Sequence, residues 1–211
     1  SNPLQLAVMA SRLASGRKLV PTLIRDPFKP QAEMLPIDPE HFRIIREAMD
    51  GVVNHGGTGG AARMLVPGVS IAAKTGTAQV RRITMAERRS GVLKNGQLPF
   101  KLRDHALFVC FAPYDNPRYA AAVVLEHNGH TVRNLDTPMI GRDIMTYLFD
   151  RDRAMKSLAE VEPTWGGDIA TRMAAQRAAY RAAHAPAPPV VDDDDVPASN
   201  SPAVEAATDA S

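Results

Sequence analysis

The 211-residue sequence contains little cysteine, few aromatic side chains and no long apolar run. Cys110 is the only cysteine, so an internal disulfide is excluded, and its apolar surroundings predict a small buried side chain. No stretch approaches the roughly 18–20 apolar residues that span a bilayer. The length and the 45% apolar content suffice for one domain with a core. Because the chain begins at Ser1 and passes directly into a predicted helix, we expect it to be a piece of a longer protein.

Charge is distributed unevenly along the chain. The overall net charge is +2, but the last 28 residues contain six acidic and no basic side chains, which leaves a net charge of +8 on residues 1–183. A basic body can bind nucleic acid or another anionic polymer. Because no nucleic-acid motif accompanies the charge and aromatic residues make up only 5% of the sequence, we predict a solvated basic surface and no nucleic-acid partner.

Hydrophobic periodicity predicts three helices in the first 150 residues. The first begins after Asn2 and ends at Gly16, the second runs from Asp38 to Asn54, and the third begins at Thr137 and ends near residue 150. Proline follows each starting residue, where its missing N–H group is tolerated. For the third helix we expect an inward apolar face formed by Ile140, Ile144, Met145 and Leu148.

Three apolar segments predict the strands of an antiparallel sheet. The first ends near Val80, and residues 105–113 and 119–126 predict a hairpin closed by a turn at 114–117. We expect the long basic segment 81–103 to be a loop that is either functional or disordered. Helices together with an antiparallel sheet predict an α+β fold with helices flanking the sheet.

Composition predicts three parts. Residues 1–152 form the α+β body, residues 153–184 carry an Ala- and Arg-rich segment with a possible helix over 168–184, and residues 185–211 are rich in Pro, Ala, Ser and Asp. The last part is too polar to bury a core, so we expect a disordered, solvating acidic tail.

The most informative stretch is the end of the first strand. An apolar approach leads into a cation, two hydroxyls and a glycine in the sequence Ile71-Ala72-Ala73-Lys74-Thr75-Gly76-Thr77-Ala78-Gln79-Val80. Such a strand edge can hold an anion through the charge of Lys74 and the hydroxyl groups of Thr75 and Thr77. Gly76 leaves room for a ligand beside the backbone. The N–H groups of such an edge can add a peptide-like ligand as a further strand.

Two other short motifs have simpler interpretations. The glycine-rich segment 57–60 lacks the Gly-Lys-Ser/Thr ending of a phosphate-binding loop and follows a helix, so we predict a turn. His127 and His130 lie three residues apart, but no carboxylate or cysteine set is spaced to complete a metal site. We therefore predict no bound metal.

The string Ile-Ala-x-Lys-Thr-Gly-Thr-Ala-Gln, residues 71–79, resembles the Lys-Thr-Gly motif of class B penicillin-binding proteins. The flanking segments resemble the same family in the same order: Pro3–Met9, the Lys-Leu-Val and Pro-Thr-Leu segment at 18–23, the Gly-Gly-Thr turn, and Asp104–Pro113. The segment Pro3–Met9 points to the elongation type of enzyme. The resemblance covers about residues 2–150.

This resemblance implies a penicillin-binding and β-lactamase-like transpeptidase fold that is incomplete at its N-terminus. It implies that the parent protein is a serine D,D-transpeptidase that cross-links peptidoglycan stem peptides and is trapped by β-lactams. By resemblance, Lys74 supplies positive potential and helps proton transfer, and Thr75 and Thr77 hydrogen-bond the substrate carboxylate. The N–H group of Thr77 forms half of an oxyanion hole, and Gly76 leaves room for the substrate. The resemblance implies no cofactor.

The nucleophile of the family lies in Ser-x-x-Lys at the start of a helix, and a second motif reads Ser-x-Asn. Ser15-Gly16-Arg17-Lys18 matches the first by letters, but it lies at the end of a helix beside a glycine, where serine and lysine do not share a helical face. Tyr114-Asp115-Asn116 imitates the second but falls in the predicted hairpin turn. We therefore expect the nucleophile upstream of Ser1 and an inactive fragment.

Three other functions remain open at this point: a β-lactam-sensing receptor, a β-lactamase, and a docking module for cell-wall assembly proteins. A β-lactamase needs a water-activating residue, and the long tail does not suit it. The transpeptidase interpretation implies stem peptides, β-lactams and proteins of the elongation complex as partners. It also implies an N-terminal membrane anchor and a location on the periplasmic face of the bacterial inner membrane.

Overall fold

The computed structural model describes residues 2–24, 28, 30–128 and 136–184, and the chain divides into two units between Val161 and Glu162. The first unit contains, in order, α1 (Pro3–Ser15), α2 (Pro39–Asn54), β1 (Ala72–Ala78), α3 (Met85–Ser90), β2 (His105–Ala112), β3 (Tyr119–Leu125), α4 (Asp136–Phe149) and α5 (Arg151–Val161). Short 3-10 helices lie at Gly60–Ala62, Asn95–Gln97 and Phe100–Leu102. The second unit contains a 3-10 helix, Glu162–Trp165, and α6 (Ile169–Ala183).

Capping contacts explain where the first two helices begin and end, and they confirm the predicted bounds. The Asn2 side chain accepts a hydrogen bond from the backbone N–H of Gln5 (2.9 Å), and the Gln5 side chain accepts one from the backbone N–H of Asn2 (3.1 Å). Gly16 ends α1 in the left-handed conformation, with φ at 68°. Asp38 caps α2 by accepting a hydrogen bond from the N–H of Glu40 (2.9 Å).

The three strands form an antiparallel sheet in the order β1-β2-β3, which confirms the predicted hairpin and its place beside the first strand. The register pairs Ala72 with Phe111 and Ala78 with His105 across β1 and β2. β2 pairs with β3 from Ala106 opposite Leu125 to Ala112 opposite Tyr119. Among the described residues β1 therefore has one neighbouring strand and one open edge.

Apolar side chains cover both faces of this sheet, which gives the predicted α+β architecture. On one face, Met145 of α4 and Val53 of α2 join the buried cluster of Ala62, Ile71, Ala73, Phe108, Cys110, Ala112 and Val123. On the other face, Ala14 of α1 and Met49 of α2 pack with Ala72 and Phe111. Burial raises the pKa of the Cys110 thiol to about 12, as expected for a packed side chain without a role as nucleophile.

The prediction for the inward face of α4 is wrong for three of its four residues. Met145 is buried, but Ile140, Ile144 and Leu148 are 37–43% exposed. The buried face instead consists of Thr137, Pro138, Gly141, Met145 and Thr146. Gly141 is the reason, because a Cβ atom there would lie 2.4 Å from Cε1 of Phe108, so the helix meets the sheet through its small residues.

The segment between β1 and β2 is more regular than the predicted loop. It contains α3 and two 3-10 helices. Thr84 caps α3, and the Glu87 carboxylate accepts a hydrogen bond from the backbone N–H of Thr84 (2.8 Å) and pairs with Arg81. These contacts lower the pKa of the Glu87 carboxyl, the backbone bond to Thr84 having the largest effect.

The helix predicted over 168–184 is present as α6, and Asp168 caps it through the N–H of Thr171 (2.7 Å). The predicted boundary between residues 152 and 153 falls inside α5. The predicted acidic tail, residues 185–211, lies outside the described residues.

Candidate functional site

The Lys-Thr-Gly-Thr segment lies on the strand that leaves one edge of the sheet open. Ile71, Ala72 and Ala73 are fully buried and anchor this strand in the core. The next four residues are exposed apart from Thr75, which is half-buried. We call residues 71–73 the root, which includes Ile71 directly before β1, and residues 74–77 the tip. The structure thus presents a polar tip next to a root that is packed in the core.

Contacts of the backbone carbonyls indicate which residues of this strand have backbone groups that face the open edge. The carbonyl of Ile71 accepts a hydrogen bond from Nδ2 of Asn54 (3.0 Å), and that of Thr75 accepts one from Nζ of Lys74 (2.7 Å). The carbonyl of Ser70 instead accepts from the N–H of Tyr114, at the end of β2 (3.0 Å). The N–H and C=O groups of one residue point to the same edge of a strand, and this edge alternates from residue to residue. We therefore infer that the backbone groups of the odd-numbered residues, including Thr77, point to the open edge.

Lys74 places a positive charge at the same edge. Its ammonium group donates to the Thr75 carbonyl, and no ion pair within the described part of the chain includes it. The tip therefore combines a cation, two hydroxyl side chains and edge-facing backbone groups. This set of groups suits an anionic, peptide-like ligand that lies along the strand.

Gly76 is not required by the packing of the described residues. A Cβ atom at this position would meet only Cβ of Leu107, at an ordinary contact distance of 3.5 Å. Gly76 is also absent from the glycines with positive φ. The space beside Gly76 is thus open towards the exterior, where a ligand on the strand would lie.

Sequence reasoning missed one side chain at the tip. The turn at 57–60, which follows α2 as predicted, brings Oγ1 of Thr58 to 2.8 Å from Oγ1 of Thr75. The signal that the sequence offers for this contact is a threonine between two glycines, at residues 57–59. A contact across 17 residues, however, depends on how α2 packs on β1, which the sequence pattern does not reveal.

His127 contacts the first residue of β2. The backbone N–H of His127 donates to Nδ1 of His105 (2.9 Å), and the two rings meet edge to face at 4.8 Å. His105 pairs with Ala78, so this contact lies at the end of the sheet that carries the tip of β1. Within the described residues no group of three or more His, Cys, Asp or Glu side chains could hold a metal ion, and His130 lies outside them.

Two segments resemble the Ser-x-x-Lys and Ser-x-Asn motifs only in their letters, and the structure places them at a helix end and in a turn. Ser15 is the last residue of α1, its hydroxyl donates to the carbonyl of Ser11 (2.8 Å), and the left-handed Gly16 separates it from Lys18. Residues 114–116 lie in the turn between β2 and β3, as predicted. That turn adjoins the root of β1, at the opposite end from Thr77.

A family model, the penicillin binding protein transpeptidase domain, matches residues 1–146. This chain belongs to the penicillin-binding protein transpeptidase family. It is similar to the peptidoglycan D,D-transpeptidase MrdA of Salmonella typhimurium, with 32% identity over 163 residues that cover 71% of this chain and 25% of the relative. The corresponding protein of Acinetobacter baumannii is 36% identical over 142 residues, which cover 62% and 20% of the two chains.

Solved structures of the penicillin-binding protein family share the fold. The penicillin-binding protein (PBP2) in a complex with MreC from Helicobacter pylori matches with a TM-score of 0.51 and 24% identity, over 72% of this chain and 25% of that chain. The transpeptidase domain of Burkholderia pseudomallei penicillin-binding protein 3 matches with a TM-score of 0.52 and 23% identity, over 69% and 42%. These likenesses support the β-lactamase-like transpeptidase fold.

The match to the family model covers the first unit as far as residue 146, which lies in α4. The chain spans about a quarter of the length of the curated relatives that it matches. None of the helices among the described residues is long and apolar enough to cross a membrane.

Proposed function

We propose that this chain is part of a peptidoglycan D,D-transpeptidase of the penicillin-binding protein 2 type, and that the tip of β1 binds the acyl donor. The observation that carries the proposal is the open strand edge with Lys74, Thr75 and Thr77 in a chain of the transpeptidase family. Relatives at 32–36% identity are named as D,D-transpeptidases, which supports this activity over a receptor or a β-lactamase.

The proposed reaction is acyl transfer. The serine of a Ser-x-x-Lys motif in the parent protein attacks the D-Ala–D-Ala bond of a stem peptide, terminal D-Ala leaves, and an amine of a neighbouring stem peptide resolves the acyl-enzyme. Lys74 supplies positive potential where the substrate carboxylate lies and helps proton transfer. Thr75 and Thr77 hydrogen-bond that carboxylate, and the Thr77 N–H group at the open edge stabilises the oxyanion. Gly76 admits the substrate backbone.

We propose the elongation machinery of the bacterial cell wall as the protein's setting, on the periplasmic face of the inner membrane. Support comes from the MrdA relatives and from the Helicobacter pylori neighbour, which was solved in a complex with MreC. We propose that an N-terminal segment of the parent protein anchors it to this membrane.

The test is labelling of the complete protein with a fluorescent penicillin. Replacing Lys74 by Ala removes the cation from the open edge without touching the core, so the acylation rate falls by roughly 100-fold or more while the melting temperature is unchanged. Lys101→Ala removes another exposed lysine and serves as the control, with labelling as in the unaltered protein.

Rapid labelling of the Lys74→Ala protein would refute the role of Lys74. The fate of the acyl group separates the other functions: a transpeptidase passes the acyl group of a stem-peptide donor to an added amine, a β-lactamase hydrolyses penicillin rapidly, and a receptor does neither. Failure of the unaltered complete protein to react with penicillin would contradict the proposal as a whole.

A further inference from the structure

The loop after α2 is folded tightly enough to fix the position of Thr58. A Cβ atom on Gly57 would lie 2.5 Å from Cα of Val52, and one on Gly59 would lie 2.9 Å from Cγ1 of Val52. The N–H group of Gly59 donates to the Val52 carbonyl (2.9 Å). The loop thus returns onto the last turn of α2 at a distance that admits only glycine, with Thr58 between the two glycines.

A second contact ties this end of α2 to the root of β1. Nδ2 of Asn54 lies 2.7 Å from Oδ1 of Asp50 and 3.0 Å from the carbonyl of Ile71. Asn54 and Thr58 are four residues apart, as are their partners Ile71 and Thr75. The α2 end and its loop therefore hold β1 at two points, one at the root and one at the tip.

We infer that Thr58 is a positioning residue that directs the hydroxyl proton of Thr75 towards the carboxylate of the acyl donor. A hydroxyl group has one proton and can accept two hydrogen bonds. If Thr75 donates to Thr58, its only proton is consumed. If Thr58 donates to Thr75, the Thr75 proton remains for the ligand, and the chain of two hydroxyls strengthens the terminal bond to the anion.

This inference rests on the proposed function, because it assumes that a carboxylate binds beside Thr75. It adds a residue that lies outside the Lys-Thr-Gly strand. Thr58 acts through Thr75 and needs no contact with the ligand. Its effect should therefore appear only with ligands that carry the carboxylate.

The experiment measures acylation of the complete protein by benzylpenicillin and by its methyl ester, which lacks the carboxylate charge. Thr58→Val keeps the shape and removes the hydroxyl, so we expect acylation by benzylpenicillin to fall about tenfold, the effect of one hydrogen bond to a charged system. We expect the slow reaction with the ester to change less than about twofold. Thr58→Ser restores the hydroxyl and the rate, and Thr22→Val is the control for loss of an exposed threonine hydroxyl elsewhere.

Several results would overturn the inference. Equal rates for Thr58→Val and the unaltered protein would exclude the role, and so would an equal fall with the acid and the ester, because the loss would then be structural. A Thr58→Ser protein as slow as Thr58→Val would exclude it even if the valine variant were poorly folded. If the unaltered protein fails to react with benzylpenicillin, the proposed function itself fails, and this inference with it.

Discussion

The root and the tip of β1 belong to one strand but obey different constraints. The root residues are inaccessible to solvent and share the two clusters that join the sheet to its helices. The tip residues project from the same backbone, and the tip glycine could carry a methyl group without a clash in the described structure. Packed and exposed positions are therefore separated within seven residues, from Ile71 to Thr77.

This comparison predicts that substitutions at the root affect unfolding and that substitutions at the tip affect acylation. The largest expected effect is at Ile71, whose side chain is fully buried between the sheet and α2. Ile71→Ala should lower the free energy of unfolding by about 2–5 kcal/mol, because a cavity remains where the side chain packed. Denaturant unfolding of the complete protein measures the loss.

Ile45→Ala on α2 is the matched control, since the Ile45 side chain is 41% exposed. Its cost should stay within about 0.5 kcal/mol, as for surface substitutions in general. Equal losses at Ile71 and Ile45 would break the distinction between the root and the surface.

A smaller effect is expected at the tip, where Gly76→Ala should change acylation and leave unfolding unchanged. The added methyl group fits against Leu107, so stability is retained. It occupies the space that we assign to the ligand backbone, so we expect the rate of acylation by penicillin to fall about tenfold, an effect of about 1.4 kcal/mol. Gly96→Ala is the control, because a methyl group there would meet nothing within 4 Å. An unchanged rate in Gly76→Ala would remove the tip glycine from the site.

Much of the fold can be predicted from local sequence signals. Helix ends are marked by the capping side chains of Asn2 and Asp38 and by Gly16, which has no side chain. Strands β2 and β3 are apolar runs, and a short apolar run leads into β1. The exposed Lys-Thr-Gly segment is likewise visible in the sequence, because its residue types do not suit a core. Its roles in binding and catalysis remain predictions.

The wrong prediction for α4 and the missed contact of Thr58 both concern how elements meet. The large apolar residues of α4 predict the wrong buried face, because Gly141 allows a closer approach to Phe108 than Ile140 or Ile144 would. The contact between Thr58 and Thr75 likewise depends on the docking of α2 beside β1. Periodicity describes one element at a time, so neither contact is encoded in it.

The segment 81–103 differs from these cases, because its helix has a local signal. Thr84 and Glu87 form a capping box at the start of α3, and this spacing of threonine and glutamate is readable in the sequence. The polar composition predicts a loop there, but the capping pair favours a short helix.

The most direct test of the account is a crystal structure of the complete protein after acylation by penicillin. We predict that the penicillin carboxylate lies within about 3 Å of the hydroxyl groups of Thr75 and Thr77, with the Lys74 ammonium group beside it and the acyl oxygen near the Thr77 N–H group. A carboxylate bound away from the open edge of β1, with the tip still exposed to solvent, would contradict the central claim that this strand edge binds the acyl donor.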